Sequence, residues 1–531
     1  MKINDFAGTG TLVRLFKRRD RVLFPFWTMV PAFLCLAVAA TFLSMGEKLH
    51  QVLTEFNHDI LISALLGPIL SLDLQGAIVW RGFSQLTLAL GIGSFWSVIR
   101  HTRADEETGR SDLIRSYVVG RCADLTAALV LTVIGDLASG ALIALMIFLL
   151  GAPPAGSVLF GATVCLTGCF FAGIGALGVQ MSESSGGARA LGFVAIGLSM
   201  ALAILNNFAG GDTVLRWLTP MAWQRLSAPF AGNHFIILLY CLAAASVPAL
   251  LAFFLSFRRD LTAGVLPDRP GMAEAPPLFS RPLALAWKLQ KRSLGGWLVG
   301  TVLYMAVFAA LAPGLSRSGR MSGWLSGIVG SSDINLSEAF IGISLYLLAI
   351  FIAVYAISAA LRLKSEEKAG RVELLLDKPL AKADWMISHL TIAFGGSALL
   401  LLVVGTVGGL VYGQLTGDLG HAFPRVMAMS LSKVPPIWLF ASVAVLLYGL
   451  CPKWTGLAWL FWFGSSLLEL AWEEKLISWS AMRLSPYSYA HYTIEITRLP
   501  LLPLIVLVLL AALLSVLGMS GFRHRDVITK S

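Results

Sequence analysis

Two long apolar stretches enclose the sequence DEETGRSDLI, which occupies residues 105–114. Nearly the same sequence, EEKAGRVELL, returns at residues 366–375 between two further apolar stretches. Both copies read acid, acid, two variable residues, Gly, Arg, one variable residue, acid and two aliphatic residues, and the second copy begins 261 residues after the first (366 − 105). We call the copies charged loop 1 and charged loop 2. Because this offset is close to half of 531 residues, the chain is expected to contain two copies of one unit.

The composition indicates a protein that lies mostly in lipid. Hydrophobic residues make up 57% of the chain and charged residues 13%, with a mean hydropathy of +0.77, whereas soluble domains carry about 25% charged residues. The net charge of +10 is what basic cytoplasmic loops would produce, so no nucleic-acid partner is predicted. The six cysteines are scattered, without a Cys-x-x-Cys pair or a His/Cys cluster, which indicates neither a disulfide framework nor a metal site.

Twelve apolar stretches are long enough to cross about 30 Å of hydrocarbon. They lie near residues 22–45, 82–99, 125–150, 157–180, 189–209 and 234–256, and then near 297–313, 339–361, 387–413, 431–451, 455–471 and 499–520. The predicted fold is an all-α polytopic membrane protein with twelve transmembrane helices, arranged as two six-helix repeats about a pseudo-two-fold axis. The predicted boundaries are a first half at 1–256, a proline-containing cytoplasmic linker at 257–282 and a second half at 283–531.

The distribution of basic residues predicts the orientation. Of the 40 Lys and Arg residues, 29 lie at the two termini, in the connections that contain the charged loops, in and beside the linker, and in two short connections near residues 181–190 and 451–455. The positive-inside rule therefore predicts a multi-pass protein of the cell (plasma or inner) membrane, with both termini and both charged loops in the cytoplasm. A basic, partly apolar segment precedes the first span of each half, at residues 12–19 and 285–292, and predicts a short helix in the headgroup plane.

Each charged loop follows the second span of its half. Acids at a helix start and aliphatic residues on one face predict a short amphipathic helix running along the membrane. Leu113, Ile114 and Tyr117 would share that face in charged loop 1, and Leu374 and Leu375 in charged loop 2. Pro379 stands where the first copy has Val118, so the two helices are expected to end differently. A solvated loop with stop-transfer charges is the other interpretation, and the repetition favours a docking role.

This layout resembles the export permeases of ATP-binding-cassette transporters, in the class usually called type 2. Members have six-span units, interfacial elbow helices and cytoplasmic coupling helices with an E-x-x-x-G-x-x-[DE]-L-L type sequence. Here the matching residues are Glu106, Gly109, Asp112, Leu113 and Ile114, and Glu367, Gly370, Glu373, Leu374 and Leu375. The chain is most similar in layout to the fused twelve-span form, often described as exporters of polyketide-type antibiotics. The residues expected to contact the ATPase are Glu106, Glu107, Gly109, Arg110, Asp112, Leu113, Glu366, Glu367, Gly370, Arg371, Glu373 and Leu374.

The resemblance implies that energy comes from other subunits. The chain contains no G-x-x-x-x-G-K-[ST] sequence, so it is expected to be a transport permease rather than an enzyme and to hold no cofactor itself. ATP and Mg would be bound by two copies of a soluble ATPase subunit at the cytoplasmic face. The cargo expected for such an exporter is a hydrophobic or amphipathic compound, such as an antibiotic.

Other interpretations remain open at this point. Asp136 lies inside the third predicted span and is a candidate for the substrate pathway, although a hydrogen bond between helices explains it equally well. A proton-coupled secondary transporter of the major facilitator type also has twelve spans, but Glu106 stands where its loop sequence requires Arg. A membrane-embedded enzyme is the weakest alternative, because no His/Asp/Glu cluster converges at one membrane depth.

Overall fold

The structure, a computed structural model, describes residues 3–58, 62–63, 66–258, 281–317, 336–377, 380–473, 477–490 and 501–526. Within these ranges every regular element is a helix, and no strand occurs. The chain divides into two compact units, Met1–Gly271 (unit 1) and Met272–Ser531 (unit 2). Most of the predicted linker at 257–282 lies outside the described residues, as does most of the connection after the seventh predicted span.

Unit 1 contains six membrane-length helices joined by shorter ones. In chain order its helices are α1 (Thr9–Arg19), α2 (Leu23–Leu43), α3 (Leu49–His58), α4 (Leu74–His101), α5 (Arg103–Glu107), α6 (Arg110–Arg115), α7 (Ala123–Leu149), α8 (Pro154–Met181), α9 (Ser185–Phe208), α10 (Leu215–Leu218), α11 (Trp223–Ser227) and α12 (Ile237–Arg258). The predicted outer connections after the first and fifth spans thus contain short helices, α3 in one and α10 and α11 in the other.

Unit 2 follows a similar order. Its helices are α13 (Pro282–Arg317), α14 (Leu336–Ala360), α15 (Arg362–Lys368), α16 (Arg371–Leu376), α17 (Lys382–Thr416), α18 (Leu419–Leu431), α19 (Val434–Leu450), α20 (Gly456–Glu473), α21 (Trp479–Met482) and α22 (Leu501–His524). Only Ser432 and Lys433 separate α18 from α19. Two prolines then follow at the start of α19, where their missing N–H groups are tolerated.

Eleven helical stretches of the described residues are long and apolar enough to cross a membrane. Each overlaps one of the twelve predicted spans, which confirms an all-helical multi-pass membrane protein. The remaining predicted span, 455–471, coincides with α20, an 18-residue helix that is not among the eleven. It carries Glu469 and Glu473 near one end, which lowers its hydropathy. The arrangement as twelve spans in two repeats therefore stays a prediction.

The basic segment before the first long helix differs between the units. In unit 1, α1 ends at Arg19, and residues 20–22 separate it from α2. In unit 2 the corresponding segment is the first part of α13, a continuous helix of 36 residues. The prediction of a separate interfacial helix is therefore wrong for unit 2. Pro25 lies in the first turn of α2, where its ring prevents α1 from continuing, whereas the prolines of α13 lie at its first residue, Pro282, and near its end, Pro313.

In both units, glycines face each other where two long helices approach closely. In unit 1, a Cβ atom added to Gly161 of α8 would clash with the carbonyl oxygen of Gly140 on α7. In unit 2, a Cβ atom on Gly449 of α19 would clash with the carbonyl oxygen of Gly518 on α22. Helices in lipid associate through van der Waals contact, which small residues improve by letting the backbones approach.

Replacing Gly161 with Val should therefore destabilise unit 1. The added side chain cannot be accommodated without separating α7 from α8, and overpacking of this kind costs about 1–3 kcal/mol. Gly197→Val is the matched control, because Gly197 lies in helix α9 with open space around it. Thermal unfolding of both variants in nanodiscs should show a lower midpoint for Gly161→Val alone; equal midpoints would contradict the close contact.

Candidate functional site

Both charged loops fold into two short helices joined by a left-handed glycine. In unit 1, Gly109 joins α5 to α6 with φ 70° and ψ 5°. In unit 2, Gly370 joins α15 to α16 with φ 71° and ψ 3°. A residue with a Cβ atom is strained at such angles, which explains why glycine occupies this position in both copies. The repeated sequence thus produces a repeated local structure.

The second short helix has the same extent in both units. Helices α6 and α16 each contain six residues, and the residues that follow them, Ser116 and Asp377, have nearly identical backbone angles. The prediction that the two helices end differently is therefore wrong. A proline disturbs a helix when it falls inside it, and Pro379, which lies outside the described residues, comes after α16 has ended.

The acids of charged loop 1 are neutralised inside unit 1. Asp105 is buried and forms an ion pair with Arg19 at 2.6 Å, and Arg110 lies 3.7 Å from its other oxygen. Glu106 pairs with Arg103 at 2.5 Å. Buried carboxylates are stable only when they are paired in this way.

The turn between α1 and α2 belongs to the same ionic network. Asp20 forms an ion pair of 2.9 Å with Arg100 and lies 2.9 Å from Nε2 of His101, both at the end of α4. Burial disfavours its charged form, but the hydrogen bond and charge of His101, together with Arg100 and Arg19, hold the pKa of Asp20 below its ordinary value. The N-terminal segment is therefore fastened to the helix that leads into charged loop 1.

Charged loop 2 is neutralised by different partners. Glu366 is held between Arg362 at 2.8 Å and Arg371 at 2.6 Å. The hydrogen bond with Glu366 and the charge of that carboxylate raise the pKa of Arg371, although burial opposes the shift. Glu367 accepts hydrogen bonds from Arg525 and from the Tyr448 hydroxyl, each at 2.7 Å, so the residue just after α22 fastens this loop.

Each charged loop is also attached to the connection that follows the fourth long helix of its unit. Arg103 donates to the Ser182 carbonyl, through Nε at 2.8 Å, just after α8. Lys364, at the matching position of the second copy, donates to the Pro452 carbonyl at 2.8 Å, just after α19. In unit 1, Glu107 adds a second attachment by accepting 2.6 Å hydrogen bonds from the backbone and hydroxyl of Ser185. We call these contacts the loop clamps.

The short helices α6 and α16 leave a leucine in solvent at matching positions. Leu113 is 72% exposed and Leu374 is 70% exposed. Tyr117 is also exposed, whereas Ile114 packs against the core around α7. The prediction that Leu113, Ile114 and Tyr117 share one face is therefore wrong for Ile114, which turns towards the core, whereas Leu113 and Tyr117 are both exposed. Each loop ends in a short helix with an exposed apolar surface.

The structure sorts the predicted site residues into two groups. One group is built into the fold of its own unit through buried or partly buried ion pairs and hydrogen bonds: Glu106, Glu107, Glu366 and Glu367, with Arg371 as a partner. The other group lies at the surface and is available for contact: Arg110, Asp112 and Leu113 in unit 1 and Leu374 in unit 2. Glu373 of α16 is half-buried. Gly109 and Gly370 set the angle between the two short helices.

Sequence reasoning missed the residues that hold the loops. Arg103 and Lys364 stand two residues before the first acid of each copy and are separated by the same 261 residues (364 − 103), so the repeat itself could have revealed them. Arg19 and Arg525 carry no such signal, because they pair with acids 86 and 158 residues away in the chain.

Asp136 lies midway along α7 and is buried inside unit 1. The Ser94 hydroxyl of α4 donates to its Oδ1 atom at 2.7 Å. The hydrogen bond between helices that the sequence allowed is therefore present. In unit 2, Lys433 is likewise buried at the break between α18 and α19, where it donates to the Ala490 carbonyl and lies over the Tyr346 ring.

The long apolar helices and the internally neutralised loops together define a multi-pass membrane protein. A family model described as multidrug efflux system permease Rv1217c, C-terminal domain, matches residues 279–523. The multidrug efflux system permease protein Rv1217c of Mycobacterium tuberculosis is 35% identical over 538 residues, which cover 99% of this chain and 96% of that protein. The chain therefore belongs to the Rv1217c family of multidrug efflux system permeases. Its relative is named as a permease, a transporter rather than an enzyme.

The buried pair between Glu367 and Arg525 should make a large contribution to the stability of unit 2. Glu367→Ala leaves an arginine without its carboxylate and should cost about 3–5 kcal/mol, whereas adding Arg525→Ala should cost less than the sum of the two single changes. Thermal unfolding of the two single variants and the double variant in nanodiscs measures this coupling. The exposed pair of Asp212 and Arg216 is the control and should show little coupling. Additive effects at Glu367 and Arg525 would show that the pair has no such role.

Proposed function

We propose that this chain is the membrane permease of an exporter driven by separate ATPase subunits, and that α6 and α16 are the surfaces on which two such subunits dock. The observation that carries the proposal is the pair of matching short helices, each with a leucine about 70% exposed. The relative named as a multidrug efflux permease supports the export of compounds. ATP and Mg would be bound by the partner subunits.

The exposed leucines suit a protein contact better than a solvated loop. A single exposed apolar residue is ordinary on a protein surface. Here two occur at the same position of two helices of equal length, and Tyr117 and Val118 extend the apolar surface in unit 1. Protein interfaces commonly centre on such residues, which fill a pocket of the partner while polar groups surround them. Asp112 and Arg110 are placed to supply those polar groups.

The loop clamps would transmit a displacement caused by the partner subunit to the membrane-spanning helices. A partner that displaces α6 would pull on α4 and α7 through the chain, and on the connection between α8 and α9 through Arg103 and Glu107. In unit 2 the same displacement of α16 would reach α19 through Lys364 and α22 through Glu367. Movement of a small surface helix would thus be shared among several long helices, as transport by rearrangement requires.

The membrane orientation follows from the same proposal. Both charged loops and both termini would face the cytoplasm, where a soluble ATPase is found, in a multi-pass protein of twelve spans arranged as two six-helix repeats. The cargo would be a hydrophobic or amphipathic compound, such as an antibiotic, that leaves the cell.

Replacing Leu113 and Leu374 together with Asp should release the ATPase. A carboxylate buried against an apolar pocket without a counter-charge is unfavourable, so co-purification of the ATPase encoded with this chain should fall at least about tenfold. Each single variant should retain partial binding through the intact site. Quantitative pull-down from detergent extracts, with ATPase activity in proteoliposomes, measures both effects.

Leu484→Asp is the matched control, because Leu484 is 76% exposed but lies in the predicted outer connection of unit 2. It should leave ATPase binding unchanged. If the double variant binds the ATPase as well as the parent chain does, α6 and α16 are not docking helices. Proton-driven transport by the purified chain alone would support the secondary transporter instead.

The native cysteines allow the orientation to be tested. Cys451 is exposed beside Pro452, at the clamp of charged loop 2, while Cys35, Cys122, Cys165 and Cys241 are buried and Cys169 is partly buried. A membrane-impermeant maleimide should label the chain in inside-out vesicles and leave it unlabelled in right-side-out vesicles, when the chain is expressed without its ATPase. Cys451→Ser should abolish the labelling. Labelling of Cys451 from outside would place the charged loops on the wrong side for an ATPase.

A further inference from the structure

Unit 1 contains a cavity between α2, α4 and α7 that reaches Asp136. Its volume is about 50 Å³, and its lining extends from Asp20 and Arg100 at the end where charged loop 1 lies to Asp136 in the middle of α7. A cavity needs roughly 10–15 Å³ to hold one water molecule. It is therefore large enough for a few waters or one small polar group, and too small for a whole drug-sized molecule, which occupies pockets of roughly 300–1,000 Å³.

The carboxylate of Asp136 is incompletely satisfied. The side chain is buried, with the residue 2% exposed, and its Oδ1 atom accepts a hydrogen bond from Ser94. No hydrogen bond of ordinary geometry reaches its Oδ2 atom among the described residues, and the Cys169 thiol of α8 lies beside the carboxyl. No Lys or Arg of the described part of the chain forms an ion pair with it. An ionised carboxylate at mid-membrane depth costs about 2.5–3.5 kcal/mol on insertion scales, so this position favours a positively charged partner.

Polar groups follow one side of the cavity. Arg100, Ser97 and Ser94 lie at successive turns of α4, and the Thr132 hydroxyl of α7 donates to the Ser97 hydroxyl at 2.9 Å. Ser139, one turn beyond Asp136, donates to the Thr28 carbonyl of α2 at 2.8 Å. From Arg100 to Ser94 the helix rises by roughly 9 Å at 1.5 Å per residue. An ammonium group entering at the Asp20 end would pass the hydroxyls of Ser97 and Ser94 on its way to the carboxylate, while the Arg100 guanidinium at the entrance is neutralised by Asp20.

Aromatic rings form the rest of the wall. Trp27, Phe24 and Trp96 all line the cavity. Two glycines make room beside the rings, since a Cβ atom on Gly93 would lie 3.5 Å from the Trp27 ring and one on Gly135 would lie 3.1 Å from the Phe24 ring. Ring faces attract cations, and a carboxylate among aromatic rings is a recognised arrangement for binding an organic ammonium group.

We propose that this cavity binds the protonated amine of an amphipathic cargo, with Asp136 as its counter-charge and the aromatic rings as its walls. The rest of the compound stays outside the cavity. The assignment of the bound molecule as cargo rests on the proposed function, whereas the binding site rests on unit 1 alone. The site favours amines over neutral compounds of the same size and shape, because an ammonium group adds an ionic attraction to Asp136 that a neutral hydrogen-bond donor lacks.

The test uses the full chain in nanodiscs without any ATPase. Its probes are 4-phenylbutylamine, which is cationic at neutral pH, and 4-phenyl-1-butanol, which is neutral and has nearly the same size and shape. Equilibrium dialysis should show that the parent chain prefers the amine. Asp136→Asn should lower the affinity for the amine by about tenfold or more and leave the affinity for the neutral compound unchanged. Asp136→Glu, which keeps the charge, should retain the preference.

Asp124→Asn provides the matched control, because it removes an acid from the same helix without touching the cavity, and the preference for the amine should persist. Equal affinity of the parent chain for both probes would overturn the inference. Equal losses for both probes in Asp136→Asn would also overturn it, since a purely structural role predicts that result. Because no ATPase is present, this test is independent of the docking proposal. The chain can prefer the amine even if α6 and α16 do not bind an ATPase, and the two helices can bind an ATPase even if the chain shows no such preference.

Discussion

Backbone groups that cross hydrocarbon have no water to bond, so each segment must satisfy its own amides and carbonyls as a helix. This constraint explains why the long elements are continuous helices of 17 residues (α19) to 36 residues (α13). It also concentrates the irregular backbone and most of the charge in the connections. The charged loops are therefore the places where helix ends, ion pairs and exposed surface can be combined. Where charge does enter a long helix, as at Asp136, it is buried among protein groups rather than left in lipid.

The two charged loops reach one shape through different chemistry. Gly109 and Gly370 have nearly the same backbone angles, yet Asp105 and Glu367 beside them pair with arginines from opposite ends of their units. In unit 1 a residue of the N-terminal helix supplies the charge, and in unit 2 a residue following the last helix does so. The local sequence is thus enough to form the turn, whereas the attachment of the charged loop depends on which basic residues of its unit lie beside it in space. Two partners docking on these loops would meet similar surfaces, but the ion pairs that hold those surfaces in place differ between the two units.

The parts that sequence could predict are those determined over short distances. Span positions follow from length and hydropathy, and the left-handed turn follows from a glycine at the same place in both copies. The burial of Asp105 and Glu367 could not be predicted, because their partners Arg19 and Arg525 are distant in the chain. The exposed side of α6 was misjudged for another reason: six residues make less than two helical turns, so periodicity cannot choose the face. The prediction of a separate interfacial helix in unit 2 was wrong because a basic segment can also begin a long helix when no proline interrupts it.

The glycine contact between α19 and α22 has a consequence for how unit 2 can move. Charged loop 2, the end of α19 and the end of α22 are joined pairwise, so the three contacts close a ring. They are the hydrogen bond from Lys364 to Pro452, the backbone approach of Gly449 and Gly518, and the ion pair of Arg525 with Glu367. Three bodies joined pairwise cannot slide past one another unless one joint opens. These elements are accordingly expected to tilt together as one rigid body. Any bending of unit 2 during transport would then occur in helices outside the ring.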